Sequence, residues 1–227
     1  MLASLAYPLA QSFEKKIALW KKWKHMFPAM LITAGFFLIW DEFFTRIGVW
    51  SFSEKYTLGF NIGSLPIEEW LFFLIVPYCC FFVYFVSIYF IKRDILAQYQ
   101  RVISIAFIII LLLATGFYYN HWYTAFTCSA SAILLIYLTF IKRAIYLGRF
   151  FIGYGISLIP FLIVNGVLTS RPVVMYNDAE NSGFRIFIDG IANIPVDDLA
   201  YCLLLLLMNV SLYETFASRN KRDFELR

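Results

Sequence analysis

Residues 70–91 read WLFFLIVPYCCFFVYFVSIYFI, from Trp70 to Ile91, without a single charged side chain. A helix rises about 1.5 Å per residue, so this stretch alone crosses the roughly 30 Å hydrocarbon layer of a bilayer. Moving outward, residues 27–45 are apolar until Asp41 and Glu42. Residues 102–141 form an uncharged run long enough to cross twice, interrupted by Asn120 and His121. Residues 150–170 are uncharged, and 199–213 are apolar up to Glu214. In lipid every backbone N–H and C=O must be paired internally, and nothing alternates as a membrane barrel would, so these segments read as helices. The pattern predicts an all-α, polytopic membrane bundle with helices over 27–46, 66–91, 102–119, 122–141, 150–169 and 195–216, and a truncated seventh at the N-terminus.

Composition agrees. Hydrophobic residues make up 61% and charged residues 15% of the 227, against about 45–50% and about 25% in soluble proteins, and the mean hydropathy is +0.72. Such a chain lacks the polar surface for a water-soluble globule, a disordered segment or a nucleic-acid binder. Its four cysteines, Cys79, Cys80, Cys128 and Cys202, follow no disulfide or metal-ligand spacing and read as small packing residues.

The charges orient the bundle. Lys15, Lys16, Lys21, Lys22 and Lys24 precede the first predicted helix. Lys92, Arg93 and Arg101 follow the second, Lys142, Arg143 and Arg149 the fourth, and Arg219, Lys221, Arg222 and Arg227 the sixth. These fifteen fall on one side, and only Arg46, Lys55, Arg171 and Arg185 on the other. The bias predicts that both ends of the six-helix bundle are cytoplasmic. No cleavable leader is expected, since the N-terminus lacks a basic start and a long apolar core.

The chain also repeats itself. Phe37-Leu38-Ile39-Trp40-Asp41 with Thr45 matches Phe161-Leu162-Ile163-Val164-Asn165 with Thr169. Each is followed by a polar, aromatic loop ending in proline, an aliphatic residue and two acids: Pro66-Ile67-Glu68-Glu69 and Pro195-Val196-Asp197-Asp198. Tyr84 falls where Tyr213 does, and Lys15-Lys16 where Lys142-Arg143 do. The expected division is a first repeat over 1–100 with its first helix truncated, a linker helix over 101–121, and a second repeat over 122–227. Both copies run the same way through the membrane, which predicts a pseudo-two-fold axis along the membrane normal and a site where the copies meet.

Acids in a first helical turn complement the dipole, and a preceding proline suits a helix start, so each pair could be a capped end and no more. Two pairs at matching places favour function, because ionisable groups at membrane depth are costly. Successive residues point about 100° apart, so one acid of each pair can face the bundle. A carboxyl taken out of water beside another carboxyl keeps its proton, and such an acid is a proton donor. Glu68, Glu69, Asp197 and Asp198 are thus the candidate catalytic residues. Trp40, Trp50, Trp70, Phe73 and Phe187 are candidate substrate contacts whose ring faces could stabilise a cation, although each also suits core or interface packing. Asp41 and Asn165, matched by the repeat, complete the substrate-binding set; capping is an equal alternative for both.

The stretches WDEFFTRIGVWSF (40–52), LPIEEWLFFLIVPYCC (65–80), PFLIVNGVLTSRPVVMYN (160–177) and IPVDDLAYCLLLLLMNVSLYE (194–214) resemble the integral-membrane lycopene cyclase domain family. Its two repeats occur as separate small subunits or fused, and this chain is similar to the fused, two-repeat form of the heterodimeric type. It departs in having little of the first helix, and in carrying Phe85 where the second repeat has Glu214. The resemblance implies cyclisation of the linear ψ end groups of lycopene, or a related linear carotenoid, to β rings, giving γ- and then β-carotene. It implies acid/base chemistry without a cofactor, polyene entry sideways from the lipid bilayer, a bacterial plasma membrane location, no nucleic-acid partner, and association with other carotenoid-pathway enzymes. Rival readings from the residues are a proton-coupled transporter and a membrane prenyltransferase. The acids lie near one surface, not at the midplane, and neither acid pair has diphosphate–magnesium spacing, which weighs against each in turn. A catalytically silent homologue is the third.

Overall fold

The computed structural model describes residues 2–188 and 192–225. A short helix α1 (Leu2–Gln11) is followed by α2 (Trp23–Arg46), α3 (Ile67–Phe90), α4 (Gln100–Phe117), α5 (Trp122–Ile136), α6 (Leu147–Ser170) and α7 (Asp197–Glu225). A π-helical turn over Tyr137–Ile141 extends α5. Six stretches are long and apolar enough to cross a membrane: Leu19–Arg46, Ile67–Phe90, Gln100–Phe117, Trp122–Ile141, Leu147–Ser170 and Asp197–Ser218. All six expected spans are therefore present. The first starts earlier than its apolar stretch because lysines end a membrane-buried run without ending a helix. Pro28, Pro77 and Pro160 sit inside α2, α3 and α6, as neighbouring helices and local adjustments permit in membrane bundles.

Three short antiparallel ribbons, absent from the helix-only expectation, close one end of the bundle: β1 (Trp50–Phe52) with β4 (Val174–Tyr176), β2 (Asn61–Ile62) with β3 (Leu65–Pro66), and β5 (Arg185–Ile188) with β6 (Ala192–Pro195). Loop backbone lying against a buried site needs hydrogen-bond partners, and ribbon pairing supplies them. The β2–β3 turn depends on Gly63. It has φ +69°, and an added Cβ would lie 2.8 Å from Glu42 Oε2, which accepts the Ser64 N–H at 2.8 Å. Only glycine allows both the backbone conformation and that approach.

The repeat is visible in the packing. α2 lies against α7 and α3 against α6, the exchange a two-fold produces, while α1 packs on α3 as α5 packs on α7. The offset that places Asp41 on Asn165 and Thr45 on Thr169 also places Trp50 on Val174, Ser51 on Met175 and Phe52 on Tyr176. The observed register pairs Trp50 with Tyr176, Ser51 with Met175 and Phe52 with Val174. The Ser51–Met175 pair therefore lies on the pseudo-two-fold itself, and each repeat gives one strand to a ribbon centred on it. α4 packs mainly along α5 and leaves Ile109 and Leu113 exposed on its outer side.

Gly153 on α6 lets the repeats approach closely: a Cβ there would stand 3.0 Å from the Tyr84 ring on α3, whereas one at Gly155 would meet nothing within 4 Å. Tyr84 cannot yield freely, because its hydroxyl donates to Glu214 at 3.1 Å. Gly153→Val should therefore wedge α3 from α6 and destabilise the bundle by about 1–3 kcal/mol, read as a lower unfolding midpoint in detergent, while Gly155→Val should leave that midpoint in place.

Candidate active site

The starts of α3 and α7 bring the acid pairs to the end of the bundle that carries the ribbons. Pro66, with φ −67° and ψ 152°, caps α3 and fixes the extended approach. Pro195 ends β6, and α7 starts at Asp197. The roughly 100° between successive helical residues then sends the acids of each pair different ways.

Glu69 and Asp198 enter one cavity of about 60 Å³ between the repeats. Asp41 from α2 and Asn165 from α6 line it too, as do Trp50, Phe52, Phe72, Tyr123, Phe161, Tyr176 and Tyr201. Strand alternation explains the ribbon's share: Trp50, Phe52, Val174 and Tyr176 face the cavity, while Ser51 and Met175 face away and are exposed. Asp198, 2% exposed, accepts three hydrogen bonds: from Tyr123 Oη at 2.5 Å, Asn165 Nδ2 at 2.5 Å and Tyr176 Oη at 3.1 Å. Asp41, also 2% exposed, shares this cavity with Glu69, and its Oδ2 is buried without a hydrogen bond. Among the described residues, no lysine or arginine lines this cavity. Burial, and next the Asp198 carboxylate, push the Tyr176 phenol well above its ordinary value, so it remains a donor.

The other two acids are placed differently. Glu68 accepts the Leu58 N–H at 2.7 Å and ties the 53–66 loop to α3. Asp197 is buried, but it accepts from Thr124 Oγ1 at 2.5 Å and Ser182 Oγ at 2.7 Å, and it borders a separate groove between α4, α6 and α7. Of the expected substrate contacts, Asp41, Trp50 and Asn165 line the cavity. Trp40 stands behind it, its ring 5.2 Å from Tyr201, and Phe73 is fully buried against Phe37. Trp70 is half-buried. Phe187 is 71% exposed on the β5–β6 ribbon, whose base is held by the Arg185–Asp178 ion pair.

Tyr123, Tyr176 and Tyr201 are cavity residues that sequence reasoning did not select. The repeat offered two of them, since Tyr176 corresponds to Phe52 and Tyr201 to Phe72. Tyr123 lies in the first turn of α5, whose counterpart in the first copy is the short α1, so the repeat carried no signal for it. Ring contacts join these tyrosines into one wall: Trp50–Tyr123 at 5.2 Å, Tyr123–Tyr176 at 5.9 Å and nearly parallel, and Tyr123–Tyr201 at 6.2 Å. Among the described residues, no three His, Cys, Asp or Glu side chains are grouped so as to hold a metal ion.

An apolar, aromatic-walled cavity holding carboxyls from two repeats can give and take protons and can shelter a cation. The family model described as lycopene cyclase matches residues 1–87 and 120–216, one segment for each repeat, with α4 left between them. No curated protein and no solved structure matches the chain. Residues matched over most of the length, in two segments that coincide with the two halves of the bundle, place the chain in the lycopene cyclase family, whose members act on carotenoids.

Proposed function

We propose that this membrane protein is a lycopene β-cyclase, converting the linear ψ end groups of lycopene to β rings by acid/base catalysis alone. The observation that carries this reading is the convergence of Asp41 and Glu69 from the first repeat with Asp198 from the second in one aromatic-walled cavity.

The two repeats present unlike pairs. Asp41 with Glu69 is carboxyl against carboxyl, and with no cation beside them the two share a proton. Asn165 with Asp198 is amide against carboxyl. Asp198, receiving three donors, is used purely as an acceptor, the role of an ionised carboxylate. The Asp41–Glu69 pair is therefore the general acid. Its proton adds to the terminal C=C bond of the ψ end, and the electron pair of that bond forms the new C–H bond. The tertiary cation left behind is attacked by the neighbouring double bond, which closes a six-membered ring and moves the positive charge into it. Asp198, the general base, removes a ring proton, and the C–H electrons become the ring double bond. Proton return from Asp198 to the acid pair restores the site, so substrate and product are isomers and no electrons are exchanged. Tyr123, Tyr201 and Trp50 present ring faces to the cation. Glu68 and Asp197 position the loops that roof the site. The charge distribution supports a bundle with both ends cytoplasmic in a bacterial plasma membrane, which puts the cavity toward the opposite face.

Cells that accumulate lycopene and receive this chain should make cyclic carotenes, read by absorption and chromatography; lycopene persisting beside membrane-inserted protein would refute the assignment. In the same cells Glu69→Gln and Asp198→Asn should lose at least about a hundredfold of turnover, whereas Glu68→Gln should cyclise within a few-fold of the parent. Tyr176→Phe removes one donor to a charged group, worth roughly 1.5–3 kcal/mol, or about a ten- to hundredfold loss of rate. Because the raised phenol is protonated on both sides of neutrality, that loss should be similar at neutral and mildly alkaline pH, and a loss that appeared only at alkaline pH would contradict it.

A further inference from the structure

The acid cavity is too small for the group it is proposed to transform. Its volume of about 60 Å³ has room for a few waters and falls well below the roughly 150 Å³ of a cavity that admits benzene, short of a six-membered ring with its methyl groups. Beside it lies a larger apolar groove of about 410 Å³ between α1, α3 and α6. The two spaces share three residues, Phe72, Phe161 and Asn165. On the outer face of α6 next to this groove, Ile159 and Ile163 are 64% and 63% exposed, and Tyr7 on α1 is 66% exposed, so the groove opens sideways where lipid would lie. The second large apolar space, of about 390 Å³ between α4, α6 and α7, ends on Asp197 and has no residue in common with the acid cavity.

We infer that Phe72 and Phe161 form a gate between a lateral polyene-binding groove and the acid cavity. A linear C40 carotene lies in the α1–α3–α6 groove, and its end group passes the two rings to reach Asp41, Glu69 and Asp198. This rests on the proposed function and adds to it the substrate's route and the residues that admit it. Shared walls favour this occupant. A groove that served only to seat a lipid chain would have no reason to end on Asn165, the donor to Asp198. Two rings at this junction would also keep water in the groove from competing with the polyene for the acid's proton and from quenching the cation.

Cys79 lines the groove, half-buried, and reports on its occupant in the full-length chain. The Asp198→Asn protein, with Glu69→Gln as a second inactive background, is reconstituted in liposomes with or without lycopene. It is treated with a fat-soluble maleimide, and modification of the Cys79 peptide is read by mass spectrometry. Lycopene should slow Cys79 alkylation several-fold. Val76→Trp, which fills the groove, should raise KM or abolish turnover in the otherwise unaltered enzyme, while Ile110→Trp in the other groove should leave turnover unchanged. If lycopene co-purifies with the protein but Cys79 alkylation is unaffected, or if Cys79 is already protected by bilayer lipid and lycopene adds nothing, the groove is not the route. Turnover by Val76→Trp equal to the parent overturns the inference as well. In each of those cases the loss of activity in Asp198→Asn keeps the proposed chemistry standing, whereas cyclisation by Asp198→Asn refutes the chemistry itself.

Discussion

A carboxylate buried in an apolar bundle is stable only if something replaces the water it has lost. At Asp198 three donors do so: Tyr123 from α5, Asn165 from α6 and Tyr176 from the β4 strand. Three separate segments thus converge on one acid of α7, and their arrangement follows from that demand. Replacing any donor leaves the acid short of a partner, and replacing the acid leaves three donors aimed at one another. The same network joins the halves of the chain, because Tyr176 sits on a strand that pairs with Trp50 of the first repeat.

Symmetry builds the cavity, and its breaking makes the cavity chemically useful. A two-fold relation between the repeats brings helix starts and ribbon strands together on one axis. Two identical pairs would duplicate one protonation state, with no separation of donor from acceptor. Aspartate at position 41 and asparagine at its counterpart 165 break the likeness: the first repeat sets two carboxyls, Asp41 and Glu69, in the cavity, and the second ties its carboxyl to an amide. The aromatic wall departs from symmetry in the same way: Phe52 and Phe72 in the first copy correspond to Tyr176 and Tyr201 in the second. The Tyr176 hydroxyl donates to Asp198 where Phe52 has none to give, and the plain ring of Phe72 lies on the side toward the apolar groove.

A residue's place in this bundle depends on which face of its helix it occupies, as the neighbouring acids show. Glu68 and Glu69 have the same chemistry and adjacent positions, yet one binds a loop amide and the other lines the cavity. Asp197 is as buried as Asp198 and has its own hydroxyl partners, but it faces away from the first repeat. The aromatic residues divide in the same manner: Trp50 lines the site, Trp40 buttresses Tyr201 from behind, and Phe187 stands exposed on a ribbon.

Hydropathy alone determined the six spans, because the bilayer imposes one length and one polarity on any helix that crosses it. Repetition of proline–aliphatic–acid–acid determined that two halves meet with carboxyls at matching ends, since like sequences in like surroundings fold alike. Neither could say which acid of each pair turns inward, because that rests on the exact residue at which α3 and α7 begin and on how each helix is rotated against its neighbours. Tyr123 was beyond reach for a related reason: it lies 75 positions from Asp198, and nothing local marks it as a partner. The ribbons, too, arose only in three dimensions, where loop backbone held against a buried site had to find hydrogen bonds, across the two-fold in β1–β4 and within one repeat in the other two.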